Sequence, residues 1–126
     1  MGNLLSFIQR VAFDDSCTRH FARQLFAGIQ HMKNQKNPAG YSHRDLKIEN
    51  VCLDCNYVLK IIDWGCATLY QQGTMVSEFP MGSGAYMAPQ IREKKEYDPH
   101  KADMFSLGTV LYVLRMRAYP WDSAMN

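Results

Sequence analysis

An α+β fold, mainly helical and carrying one small β-hairpin, is predicted for this 126-residue chain by three of its segments. Phe21, Leu25, Ile29 and Met32 recur at helical spacing, which puts them on one face of a long amphipathic helix. Val51–Leu53 and residues 57–62 are β-prone runs separated by Asp54, Cys55 and Asn56 as turn material, and together they predict the hairpin. Residues 101–117 are apolar nearly all round, the pattern of a helix buried in a larger core with neighbours on every side.

The remaining elements follow in chain order. The opening Met-Gly-Asn-Leu-Leu-Ser satisfies the N-myristoylation pattern, with Gly2 as acceptor and Ser6 in the required place. The favoured reading is a short amphipathic helix over residues 2–8, because no polybasic second anchor follows; membrane attachment is therefore not expected. Asp14 and Asp15 can cap the first long helix, and Asn34, Pro38 and Gly40 end it in a loop over residues 34–40. Residues 68–84 have no sustained period and contain Gly73, Pro80, Gly82 and Gly84, which predicts a long loop of the kind that is usually functional. Tyr119-Pro120-Trp121 stops the last helix, and there is no repeat, low-complexity tract or second domain.

With 47% hydrophobic and 21% charged residues the composition is that of a globular chain, one domain or a piece of one. Lys and Arg total 14 against 12 for Asp and Glu, so the net charge of +2 supplies no field to draw the chain onto nucleic acid. The longest apolar stretch, residues 104–114, falls short of the ~20 residues that span a bilayer. Cys17, Cys52, Cys55 and Cys66 without a secretory leader indicate a reducing compartment, cytoplasm or nucleus. Cys52-x-x-Cys55 has zinc-ligand spacing, and Cys66 with His43 could complete a set, but a structural zinc site normally brings a second tight pair.

The segment with most chemical content is His43-Arg44-Asp45-Leu46-Lys47-Ile48-Glu49-Asn50, just before the hairpin. It resembles the catalytic loop of the eukaryotic protein kinases, H-R-D-L-x-x-x-N, in the HRDLKxEN form of the serine/threonine group. The resemblance covers nearly the whole chain. It implies an incomplete kinase C-terminal lobe over residues 1–126, running from the helix after the hinge to just past the central helix. The N-terminal lobe and the last C-lobe helices are expected to be absent.

By the same resemblance the function is transfer of the ATP γ-phosphate to serine or threonine hydroxyls of a protein substrate, with Mg²⁺. Asp45 would be the catalytic base and Lys47 a positive charge beside the transferring phosphate. Asn50 and Asp63 would be the metal ligands, and Cys52 would floor the adenine pocket. Asp63-Trp64-Gly65 stands where the family has Asp-Phe-Gly, with Trp64 a larger aromatic. Taken singly, each of these residues reads as a cap or a turn; taken together and in this order, they point to phosphotransfer.

Gly82-Ser83-Gly84-Ala85-Tyr86-Met87-Ala88-Pro89-Gln90 resembles the end of a kinase activation segment. It implies a peptide shelf including Tyr86, with the Ser83 hydroxyl near Asp45 and Lys47. Gln90 departs from the family's Glu. Arg44 is placed to read a phosphorylated loop residue, and of Thr68, Tyr70, Thr74 and Ser77 the favoured candidates are Thr74 and Ser77. Asp103 would hydrogen-bond the catalytic-loop backbone, a role compatible with that of a helix-start carboxylate. Glu49 hints at a basic substrate and Asn3 hints against one.

No G-x-G-x-x-G followed by a V-A-I-K-like strand occurs in the sequence. The 126-residue chain by itself is therefore expected to be inactive, with apolar surface exposed on its last helix. The rival reading is a catalytically inactive kinase-like binding module.

Overall fold

The computed structural model describes residues 2–77 and 81–121. The predicted Pro80 and the end of the chain beyond Trp121 lie outside them. The two long helices are present. α2, Asp15–Lys33, begins where Asp14 accepts a hydrogen bond from Cys17 N at 2.8 Å, and the predicted face of Phe21, Leu25, Ile29 and Met32 is buried. α4, Pro99–Met116, starts earlier than the apolar pattern, because Asp98 caps the amides of His100 and Lys101 and Pro99 is suited to the first helical position.

α4 corrects the expectation of burial all round. Leu107, Val110, Val113 and Leu114 point into the core, whereas Met104, Tyr112 and Met116 are 43%, 41% and 56% exposed. The buried stripe packs with α2 and with Leu46, Ile48 and Val51 in one cluster, which also takes Leu4 and Ile8. Those last two come from α1, Leu4–Ile8, the short amphipathic helix expected near the start, capped by Asn3 accepting from Ser6 N at 2.9 Å. Phe13 extends the cluster, stacked on Phe21 at 5.2 Å.

The hairpin forms from β3, Val51–Leu53, and β4, Leu59–Ile61, with Cys52 opposite Lys60. Its second strand is shorter than expected. Asp54 accepts from the amides of Asn56 and Val58 at 2.8 and 2.9 Å, so residues 57 and 58 belong to the turn, with Tyr57 at φ 60°. β1, Gly2–Asn3, adds to the other edge, with Gly2 opposite Leu53.

A second antiparallel sheet pairs β2, Ala39–Ser42, with β5, Thr68–Gln71, and both strands fall in or beside segments expected as loops. Ala-Gly-Tyr-Ser has little strand propensity of its own. What holds it is the distant partner and the approach of Gly40 to α2, where a Cβ would fall 1.8 Å from the Lys33 carbonyl oxygen. Further along, Val76 and Tyr97 exchange backbone hydrogen bonds of 2.9 and 3.0 Å, a 3₁₀ turn covers Gly84–Tyr86, and α3 spans Pro89–Arg92. Thus much of the expected loop is tied down. Among the described residues no helix is long and apolar enough to cross a membrane.

Candidate active site

The loop over residues 42–50 hangs from one buried carboxylate. Asp103, on α4 and 3% exposed, accepts from Ser42 Oγ at 2.9 Å and His43 N at 2.7 Å on Oδ2, and from Arg44 N at 3.0 Å on Oδ1. Burial pushes the Asp103 carboxyl above its ordinary value, and the three donors pull against that. Its helix-start reading passes to Asp98, which does the capping, while Asp103 sits in the second turn. The hydrogen bonds expected of it to the backbone of this loop are present.

His43, fully buried, joins the loop to the strand end that follows it. Its Nδ1 accepts from Asp45 N at 3.2 Å and its Nε2 donates to the Ile62 carbonyl at 2.9 Å, which places the ring proton on Nε2. The ring also meets Trp64 edge-on at 5.1 Å, although Trp64 stays 45% exposed. Arg44 and Asp63 both adopt left-handed backbone, φ 66° and 60°, a strain of roughly 1–3 kcal/mol that the surrounding bonds must hold.

Around Asp45 these supports produce a polar cage. Lys47 Nζ lies 3.4 Å from Oδ2, and Ser83 Oγ donates to Oδ1 at 3.2 Å. Lys47 in turn donates to Ser83 Oγ at 2.9 Å, so base, cation and hydroxyl close a triangle. Asn50 Nδ2 donates to the Asp45 carbonyl at 2.9 Å and reaches Oδ2 at 3.4 Å. The Asp45 side chain keeps 14% of its surface open and Lys47 26%. A carboxylate so oriented can accept the proton of an incoming hydroxyl.

Asn50, with its amide nitrogen engaged, has Oδ1 left as an acceptor, and its carbonyl receives Ile62 N at 2.9 Å, which binds it to the segment carrying Asp63. Asp63 is exposed and accepts from Gly65 N at 3.5 Å. Both side chains offer oxygen donors, the ligand type that Mg²⁺ takes. Among the described residues no group of three or more His, Cys, Asp or Glu could hold a metal by itself. Cys52 is buried in β3, Cys55 is exposed in the turn and Cys66 is half-buried, all as free thiols.

A family model described as the protein kinase domain matches residues 1–126. The chain belongs to the protein kinase family. Among its relatives, Serine/threonine-protein kinase chk1 of Schizosaccharomyces pombe is 38% identical over 92% of this chain and 23% of that protein. CBL-interacting serine/threonine-protein kinase 5 of Arabidopsis thaliana is 37% identical over 99% of the chain and 28% of its own length. NUAK family SNF1-like kinase 2 of Homo sapiens is 36% identical over 96% and 19%. The chain thus spans a minor part of the curated relatives it matches, and it falls in the serine/threonine group of the kinases.

Pairing across the fold narrows the phosphate acceptors expected near Arg44. Arg44 donates to the Cys66 carbonyl at 2.8 Å, the Tyr70 hydroxyl at 2.8 Å and the Met81 sulfur at 3.0 Å. Tyr70 is therefore a buried partner of Arg44 and drops out as an exposed phosphate acceptor, while Thr68 lies in β5. Thr74 is half-buried, and the exposed Ser77 faces a carboxylate, Glu96 Oε1 at 3.5 Å.

The segment expected to form the peptide shelf is held through its backbone, by residues that sequence reasoning missed. Trp121 Nε1 donates to the Ala85 carbonyl at 3.1 Å, Ser106 Oγ to that of Tyr86 at 2.7 Å, and Arg92 to that of Met87 at 3.2 and 3.0 Å. Trp121 is fixed by stacking on Phe105 at 5.5 Å, with the Arg92 guanidinium 5.4 Å above it. Gln90 is exposed beside this clamp. Inside the shelf, the Tyr86 hydroxyl and Glu49 Oε2 are buried without hydrogen-bond partners. Burial first, then the neighbouring Tyr119 phenol and the Glu49 charge, push the Tyr86 phenol far above its usual range.

Proposed function

We propose that residues 1–126 are the C-lobe portion of a serine/threonine kinase and carry the substrate-side half of its phosphotransfer site. The observation that carries this reading is the closed triangle of Asp45, Lys47 and Ser83, with bonds of 2.9 to 3.4 Å. Asp45 takes the proton from the attacking hydroxyl, and Lys47 holds positive charge where the phosphate oxygens gather. Ser83 locks the substrate shelf to both. Asn50 and Asp63 would hold Mg²⁺, which with ATP bound would neutralise charge on the transferring phosphate. Cys52, buried in β3, would floor the adenine end.

The partnerless Glu49 Oε2 suits a basic side chain of the protein substrate, whose donor would satisfy it. Four free thiols support a reducing compartment, cytoplasm or nucleus. The test is transfer of labelled γ-phosphate from Mg-ATP by the protein at its native length to peptides that differ only in Ser, Thr or Tyr. The proposal expects transfer to Ser and Thr, faster with a nearby Arg. Transfer to none of them, or to Tyr alone, contradicts it.

A further inference from the structure

The phosphotransfer reading leaves one chemical group at Arg44 unused. Met75, Met81, Met104 and Met116 are 55%, 39%, 43% and 56% exposed, and the sulfur of Met81 lies 3.0 Å from Arg44 Nη2. A thioether is a weak acceptor, so this contact holds little, yet it sits where a strong acceptor would bind a guanidinium well. The sulfur receives the Arg44 N–H on a residue that is itself 39% exposed, and a thioether has a second lone pair to offer an oxidant.

We propose that Met81 is a peroxide-sensitive modification site, and that its sulfoxide fastens the activation segment more firmly to Arg44. In the step, a sulfur lone pair attacks one oxygen of hydrogen peroxide, the S–O bond forms and the O–O bond breaks. The departing hydroxide takes up the remaining proton and leaves as water. Sulfur is oxidised by two electrons and the peroxide is reduced by two.

The sulfoxide oxygen replaces a weak acceptor with a strong, charge-assisted one. The flexible methionine stem lets that oxygen turn toward Nη2 without moving the backbone. The next residues have no slack. At Gly82, φ 104°, a Cβ would fall 2.7 Å from the Arg44 carbonyl oxygen, and Ser83 is already bonded to Asp45 and Lys47. A firmer hold at Met81 is therefore felt along residues 82–86, the shelf on which substrate lies.

The experiment treats the protein at native length with hydrogen peroxide, follows one-oxygen gain at each methionine by peptide mass spectrometry, and measures amide exchange over residues 82–86. The expected result is oxygen gain at Met81 with exchange there slowed about fivefold, as the Arg44 guanidinium exchanges a weak thioether acceptor for a strong oxygen one. A methionine sulfoxide reductase restores the original rate. Met81→Gln, with an amide oxygen in place of the sulfoxide, shows the slowed exchange without peroxide, and Met81→Leu does not respond to peroxide. Oxidation of Met75 and Met116 with Met81 untouched overturns the proposal. So does exchange that is unchanged or faster once Met81 is oxidised, or slowing that persists in Met81→Leu.

Discussion

The loop over residues 42–50 and the segment over residues 68–86 meet at Asp45, but they are held in opposite ways. In the first, Ser42, His43 and Asn50 are buried and three successive residues bond one carboxylate of α4. In the second, Gln71, Gln72, Gly73, Met75, Ser77 and Gly82 are exposed, and the ties are separate: a strand at one end, the Val76–Tyr97 exchange in the middle and Ser83 on Asp45 at the other. The difference teaches a division of labour. On the proposed reading, a base must be prebuilt, so its loop is hung from the core, and a substrate shelf must be adjustable, so it is fastened at a few points that can be altered one at a time.

The comparison breaks most visibly at Asp103. Replacing it with Ala leaves the His43 and Arg44 amides without their acceptor, while the Ser42 hydroxyl keeps the Pro99 carbonyl at 2.9 Å, and the expected loss is about 3 kcal/mol in urea unfolding. A loss under about 1 kcal/mol would mean that the loop is not hung from α4.

A pair of glycines sharpens the contrast. Gly40→Ala forces a Cβ to within 1.8 Å of the Lys33 carbonyl and is expected to cost about 3 kcal/mol, since backbone must shift. Gly73→Ala meets nothing within 4 Å and suffers only from its φ of 82°, an expected cost of about 1 kcal/mol. Thermal or urea midpoints of the two variants check the order, and equal losses would erase the distinction between scaffold and segment.

The smallest expected effect is on pH dependence. Because the folded-state value of Asp103 is raised, the native chain binds that proton more tightly than the unfolded chain does. Its contribution is complete below the ordinary carboxylate value and fades as pH rises through the raised folded one. The helix cap Asp14 and the turn residue Asp54, held below the ordinary value chiefly by the amides of Cys17 and Val58, lose theirs as pH falls. Asp103→Asn should remove the fading component and leave the acid one, which urea midpoints measured across the carboxylate range will show.

The long helices, the hairpin and the residues around Asp45 were legible because each is written locally: a helical stripe in α2, a turn at Asp54, a motif over residues 43–50. Asp103 and Ser83 were legible for a different reason, since the family resemblance supplied their partners across the fold. What stayed hidden depends on distant neighbours and on no local pattern. β2 and β5 are strands only because they pair with each other, and Tyr70 looked like an accessible hydroxyl until pairing placed it against Arg44. The outward face of α4 was hidden too, because apolar residues on two sides of a helix do not say which side the chain will cover. Ser106 lies in the apolar stretch expected as the last helix, but nothing local said that its hydroxyl clasps the Tyr86 carbonyl.

The most direct test of the site is Asp45→Asn in the protein at native length, assayed for phosphotransfer to a serine peptide, with urea unfolding as a control for the fold. The substitution keeps the shape of the cage and removes the base. kcat should fall by about 100-fold or more, with the KM for ATP little changed and stability near that of the parent. A kcat within a factor of about 2 of the parent's, from an intact fold, would contradict the assignment of Asp45 as the base.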